Sequence, residues 1–220
     1  MHVSCNHRRR ALHALAVVII AGGVTCLAAA RLNFNFDDQT PGVPPEGFFF
    51  AGARQAAPGT WEVRGMGAQR HLIHLADPSV TMRGIAVAGV SAAAPADLKV
   101  TARLRLVDGD RAGGLLWRYK DAADFYFLSV FLRVREIALI RVTGGNRVTL
   151  DRVMNVDLDP EAWHSLSVIH VGNQIVGQVD GIPVVHGRDR TLAEGGRAGV
   201  WSAGNSTTWF DDITIEDHPQ

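Results

Sequence analysis

The sequence predicts an all-β protein, a two-sheet antiparallel sandwich preceded by an N-terminal signal helix. Three observations carry that reading. Residues 31–220 are filled with short runs in which apolar and polar side chains alternate. Turn-forming pairs such as Gly172-Asn173 and Asp180-Gly181 separate those runs. No stretch of the same region repeats at a helical period, and a dozen or so short strands at this spacing call for a sandwich or barrel.

The N-terminal thirty residues come first. Residues 1–10 are polar and carry Arg8, Arg9 and Arg10, whereas residues 11–30 contain no acid, Lys or Arg. Ala28 and Ala30 place small side chains where a signal peptidase reads them. A basic head, an apolar body and an A-x-A end form the secretory pattern. The expected outcome is cleavage after Ala30 and export to the periplasm or beyond the cell. The apolar body is also long enough to reach across a bilayer, so an uncleaved anchor is the alternative, and the membrane is a partner only in that case.

Residues 31–220 have the size of one domain. Both cysteines, Cys5 and Cys26, precede them, which leaves this region without a disulfide or a cysteine nucleophile. The first thirty residues hold three of the 22 basic residues and none of the 22 acids, so the remainder is acidic by three charges. That argues against nucleic acid as a partner, which favours a basic surface.

Strands are expected over 32–36, 61–64, 71–76, 84–90, 97–106, 113–119, 125–132, 137–142, 148–153, 163–171, 174–179, 197–202 and 208–216. The clearest is 97–106, where Leu98, Val100, Ala102, Leu104 and Leu106 share one face and Lys99, Thr101, Arg103 and Arg105 the other. This is the pattern of a half-buried antiparallel strand. Gly172-Asn173 and Asp180-Gly181 read as two-residue hairpin turns.

Four pieces of sequence resemble a known family. Trp163-His164-Ser165-Leu166-Ser167-Val168, followed by Gly172-Asn173-Gln174 and Gln178-Val179-Asp180-Gly181, resembles the W-H-x-L-x-V … v-D-G signature of laminin G-like domains. Gly113 to Tyr119 with Asp124-Phe125-Tyr126, then Gly199-Val200-Trp201 with Phe210-Asp211-Asp212, and the opening Phe34-Asn35-Phe36-Asp37-Asp38, match the rest of that pattern in order. The chain thus resembles concanavalin A-like jelly rolls. It looks most like the exported bacterial group labelled 3-keto-disaccharide hydrolase-like or family 16 glycoside hydrolase-like. The resemblance implies two packed sheets, one concave, with ligands on the concave face or at the loop rim. Members bind sugars and some hydrolyse them, so the fold alone does not assign a function.

The residues themselves narrow the chemistry. Retaining glycosidases need two nearby carboxylates, and the E-x-D-x-E run of the family 16 enzymes is missing here; the Glu residues are isolated. His71 and His74 are three apart and fall on opposite faces of a strand. An aromatic and polar set, Trp117, Arg118, Tyr119, Tyr126, Trp201 and Asn205, is the candidate ligand surface. Aromatic faces stack on sugar rings, with Arg118 and Asn205 as hydrogen-bonding groups. Arg118 is expected to be exposed, on the side of the strand away from Trp117 and Tyr119, and Trp163 is expected in the core. Core packing is the competing reading for Trp117 as well.

In 208–216, Trp209, Asp211, Ile213 and Ile215 alternate onto one face, so Asp211 points inward if that face is core. A buried carboxylate needs a partner. Asp37, Asp38, Asp211 and Asp212 are therefore the expected ligands of a structural Ca²⁺ ion, with turn caps and an arginine partner as the alternative. The function expected is an exported, non-catalytic carbohydrate-binding or surface-interaction module. A glycoside-processing enzyme, 3-keto-disaccharide hydrolase-like, is the alternative.

Overall fold

A computed structural model describes residues 31–53, 56–80 and 84–218. The expected signal segment, 1–30, lies outside the described residues. In chain order the strands are β1 (Arg31–Phe34), β2 (Phe48–Ala53), β3 (Thr60–Met66), β4 (Gln69–Leu75), β5 (Ile85–Val90), β6 (Leu98–Asp108), β7 (Ala112–Asp121) and β8 (Asp124–Phe131). A short 3-10 turn, Leu132–Val134, follows, and then β9 (Glu136–Thr143), β10 (Asn146–Met154), β11 (His164–Val171), β12 (Gln174–Val179), β13 (Ile182–Arg188), β14 (Arg197–Ala203) and β15 (Thr207–Asp217).

Two antiparallel sheets form a sandwich. The first runs β13-β12-β11-β6-β15-β4-β3, with β1 added alongside β15; the second runs β10-β9-β8-β7-β14-β5-β2. The expected pairing of the opening and closing strands is present, with Leu32 opposite Ile215 and Phe34 opposite Ile213. Both expected hairpins form, with Val171 opposite Gln174 and Val179 opposite Ile182. Asp180 and Gly181 both have positive φ, 51° and 78°, which a two-residue turn matching the twist of its strands requires.

The inner faces interdigitate into one core. On β6 the alternation read from sequence is followed residue by residue: Leu98, Val100, Ala102, Leu104 and Leu106 are buried in it. Phe210 from β15, Leu115 and Trp117 from β7 and Leu128 from β8 meet them there. Two strands escaped the sequence reading, and both are edges. β2 is half-buried along most of its length and does not alternate. β13 contains Pro183, a residue that sheets admit at their edges. Among the described residues no helix is long and apolar enough to cross a membrane.

Phe210 is fully enclosed between the sheets. Phe210→Ala is expected to cost about 3–5 kcal/mol, measured as a lowered urea midpoint. A loss below about 1 kcal/mol would show that the core collapses around the gap instead of holding this packing.

Candidate functional site

Two β-bulges decide where the sequence-predicted residues go. In β7 the extra residue is Arg118, in the left-handed region at φ 46°. The neighbouring strand advances from Gly199 to Arg197 while β7 advances from Leu116 to Tyr119, so one residue is unpaired. Trp117 therefore faces inward, and Leu116 and Tyr119 both face outward on the second sheet. Arg118 is only 1 % exposed, against the expectation of an exposed side chain. Its Nε and one terminal nitrogen donate to Ala96 O at 3.0 and 2.9 Å, and its other terminal nitrogen donates to Leu192 O at 2.8 Å. Burial lowers its pKa, opposed by nearby negative charge including Asp97, and an arginine stays charged regardless.

Trp117 and Tyr126 join the same interior network. Their rings stack 5.7 Å apart. Trp117 Nε1 donates to His170 Nδ1 at 3.0 Å. Tyr126 OH donates to Asp189 at 2.5 Å and accepts the Leu192 amide at 3.2 Å. Burial, reinforced by Asp189, pushes the Tyr126 phenol up to about 12. Burial works against the Asp189 carboxylate, yet hydrogen bonds from Tyr126 and Thr191 and the charge of Arg141 hold it below the usual range. Trp117, Arg118 and Tyr126 are thus sealed between the sheets and offer no surface to a saccharide.

The second bulge lies at Asp211–Asp212. β6 steps from Arg103 to Thr101 while β15 steps from Asp211 to Thr214, with Asp212 left-handed at φ 48°. The extra residue reverses the facing, so Ile213 and Ile215 enter the core whereas Trp209 and Asp211 lie on the outer face of the first sheet. Asp211 accepts from His71 at 3.3 Å and from the Asp212 amide at 2.8 Å, with Arg103 at 3.7 Å. Arg103 also reaches Asp212 at 3.3 Å. Burial raises the Asp211 pKa. Of the four expected Ca²⁺ ligands, Asp37, Asp38, Asp211 and Asp212, the last two are met by arginine and histidine. Among the described residues no three His, Cys, Asp or Glu side chains converge as ligands.

Trp163 is also outside the core, half-exposed beside His71 at 5.0 Å and Trp209 at 6.5 Å. Arg103 covers its ring at 4.8 Å, and Arg105 covers Trp209 at 5.4 Å. The indole faces on this sheet are already stacked with guanidinium groups.

The outer face of the second sheet is different. Leu116, Tyr119, Phe125, Phe127, Ile140, Val142 and Trp201 form a second apolar cluster there. At one end a pocket of about 260 Å³ opens beside Trp201, Phe127 and Phe131, with Ser129, Glu136 and Arg147 as its polar lining. Trp201 Nε1 donates to Leu128 O at 3.0 Å, and its ring meets Phe127 edge-on at 5.3 Å. Gly114 makes that bond possible, because a Cβ there would collide with the Leu128 carbonyl and sit 3.1 Å from the indole nitrogen. Arg147 lies 5.3 Å above the Phe127 ring. Among the described lining residues Glu136 is the only carboxylate. A hydrolytic pair needs two, and the described lining supplies one.

Of the six expected ligand residues, Trp201 alone lines this pocket; Tyr119 lies elsewhere on the same face, against Phe49 and Phe125. Asn205 is at a loop, donating to Asp110 at 2.7 Å. The sequence reading missed Phe127, Ser129, Glu136 and Arg147. Alternation along β8 places Phe127, Ser129 and Phe131 on one face, and that signal was available once the facing of the strand was known.

No family model matches the sequence, and no curated protein is similar to it in sequence. Solved structures are similar in fold. The carbohydrate-binding module CBM66 from Bacillus subtilis superposes with a TM-score of 0.63 at 19 % identity, covering 81 % of this chain and 99 % of that one. The β-agarase B of Zobellia galactanivorans gives 0.63 at 10 % identity, covering 86 % and 93 %. A Bacillus licheniformis β-glucanase gives 0.59 at 12 % identity, covering 87 % and 98 %. The chain has the concanavalin A-like jelly-roll fold. These likenesses carry the fold and nothing finer.

His170 supplies a test of the interior network. Burial, and then the charge of Arg118, lowers its pKa from 6.5 to about 4. The unfolded chain therefore binds a proton first as pH falls. The stability this neutral histidine confers is complete above pH 6.5 and is lost toward pH 4. The loss is expected to be roughly 3 kcal/mol. His170→Gln should flatten that part of the stability–pH curve, followed by urea titration at several pH values. An unchanged slope would place the histidine outside the network.

Proposed function

We propose that this protein is an exported, non-catalytic carbohydrate-binding module whose ligand occupies the pocket beside Trp201. The observation that carries the reading is the composition of that pocket. Phe131, the most open of the three rings, forms an aromatic wall with the largely buried Trp201 and Phe127, and Ser129, Glu136 and Arg147 supply donors and an acceptor around it. A mostly apolar recess with a few convergent polar groups is how proteins bind small organic ligands. Pyranose rings present both an apolar face and a belt of hydroxyls to match. Neighbours of the same fold named as a carbohydrate-binding module, a glucanase and an agarase support the ligand class. The lone Glu136 favours binding over hydrolysis.

A glycan array followed by calorimetry tests the site. Arg147→Ala, at an exposed position, and Trp201→Ala are each expected to weaken binding tenfold or more, about 1.4 kcal/mol. Binding to no saccharide would sink the proposal, as would full affinity in both variants. Export is tested separately. N-terminal sequencing of the protein released from its cell is expected to begin at Arg31. A retained Met1 in the membrane fraction would mean an anchor.

A further inference from the structure

A second cleft adjoins the Trp201 pocket. The two are divided by the 3-10 turn Leu132–Val134: Phe131, Val134 and Glu136 line the pocket, whereas Leu132, Arg133 and Arg135 line the cleft. The cleft, about 310 Å³, also takes Arg111 into its wall, so three arginines line it, together with Asp157. Its backbone is stitched in place. The Leu132 amide donates to Arg111 O at 3.0 Å, the Arg135 amide to Leu132 O at 3.0 Å and the Val156 amide to Arg135 O at 3.1 Å. Arg111 and Arg135 are both left-handed, at φ 52° and 56°, a conformation that ordinary side chains rarely adopt.

Arg133 is the fixed member. It donates to Asp110 at 2.6 Å, and Asp110 is held from the other side by Asn205 at 2.7 Å. The Asp110 carboxyl stays below the usual range chiefly through the Asn205 bond, against burial and with help from Arg133. The Arg133 side chain is nevertheless 72 % exposed, so its remaining donors face solvent from an anchored position. Arg111 and Arg135 have looser partners. Glu161 lies 3.9 Å from Arg111 and is 65 % exposed. Asp157 lies 3.6 Å from Arg135 and is 94 % exposed, and Arg135 Nε is 3.4 Å from Val156 O. Exposed pairs of this kind contribute little and exchange readily. A ligand oxyanion that accepts from a planar guanidinium fork displaces them.

We infer that this cleft is an oxyanion subsite and that the glycan bound at the adjoining pocket is acidic, carrying a carboxylate or a sulfate ester. The inference rests on the carbohydrate reading of that pocket. The recognising chemistry is the same for both substituents: an oxyanion accepts from the exposed donors of Arg133, and Arg111 and Arg135 exchange their loose carboxylate partners for it.

Calorimetry on the full exported chain, with matched oligosaccharide pairs, tests this. One arm compares uronate oligomers with their methyl esters, and the other compares sulfated oligomers with their desulfated forms. At least one acidic member is expected to bind tenfold tighter than its neutral counterpart, with the preference shrinking as salt is raised. Arg111→Gln combined with Arg135→Gln removes both charges while keeping a polar side chain and is expected to reduce the preference to about twofold, with an unchanged melting temperature. Equal binding of acidic and neutral members overturns the acidic assignment and leaves the carbohydrate reading standing. Binding to no oligosaccharide removes both. Polyglutamate binding as tightly as the acidic sugars would show recognition of charge alone and overturn the subsite.

Discussion

The buried guanidinium of Arg118 is the constraint around which the interior of this sandwich is arranged. A full charge between two sheets is tolerated only when its donors are satisfied. Here the Ala96 and Leu192 carbonyls satisfy it, from two neighbouring connections that bond to each other through Ala94 and Gly196. Those carbonyls can reach it because the bulge in β7 turns the side chain away from the outer face. The consequences spread through the neighbouring groups. His170 beside the charge is held neutral and accepts from Trp117. Tyr126, stacked on Trp117, bonds the Asp189 carboxylate, which Arg141 neutralises. The chain supplies partners from β7, β8, β9, β11 and the loop after β13, and so ties the two sheets together at one end.

What could be read from the sequence follows from what alternation encodes. On β6 the apolar positions from Leu98 to Leu106 are core and the polar ones between them face out, because the strand is regular and central. The same logic failed at Arg118 and at Asp211. An added residue moves all later side chains to the other face, and nothing in the local composition announces it. At Asp211–Asp212 the bulge converts an inward carboxylate in need of a cation into an outer-face carboxylate served by Arg103 and His71. Asp211 and Asp212 therefore meet Arg103 and His71, while β1 lies paired with β15 just beyond the bulge. Trp163 misled in the opposite sense. It belongs to the motif that announced the fold, yet it packs outside the core against His71 and Arg103. The edge strands β2 and β13 were missed because an edge need not alternate and can accept a proline.

The two outer faces also differ in a way that composition does not reveal. Both carry tryptophan and arginine. On the first sheet Arg103 and Arg105 lie over the indole rings, and Asp211, Asp212 and Glu161 bind the guanidinium groups in turn. The aromatic surface there is already covered. On the second sheet Trp201 spends its only donor on the Leu128 carbonyl and packs edge-on against Phe127, which leaves a recess beside the pair. The difference arises from Gly114, whose missing side chain lets the indole reach across the strand. A glycine, a residue with no side chain of its own, thereby lets the indole take its place beside the recess.

Asn205 shows how a residue expected to touch a ligand acts at one remove instead. It sits on the loop between β14 and β15 and reaches Asp110 on the loop between β6 and β7. Asp110 in turn holds Arg133 on the turn after β8. Three connections are thus locked together at the end of the sandwich where the pocket and the arginine-lined cleft meet. Loops held only at their own ends would leave long arginine side chains free to wander, and ordering them on binding would cost affinity. Here the ordering of Arg133 is already complete in the folded protein, through an amide, a buried carboxylate and a guanidinium in series. Rigid strands fix the aromatic wall, and this chain of hydrogen bonds fixes the charge beside it. Asn205, Asp110 and Arg133 thus tie three loops to one another at this end of the sandwich by hydrogen bonds.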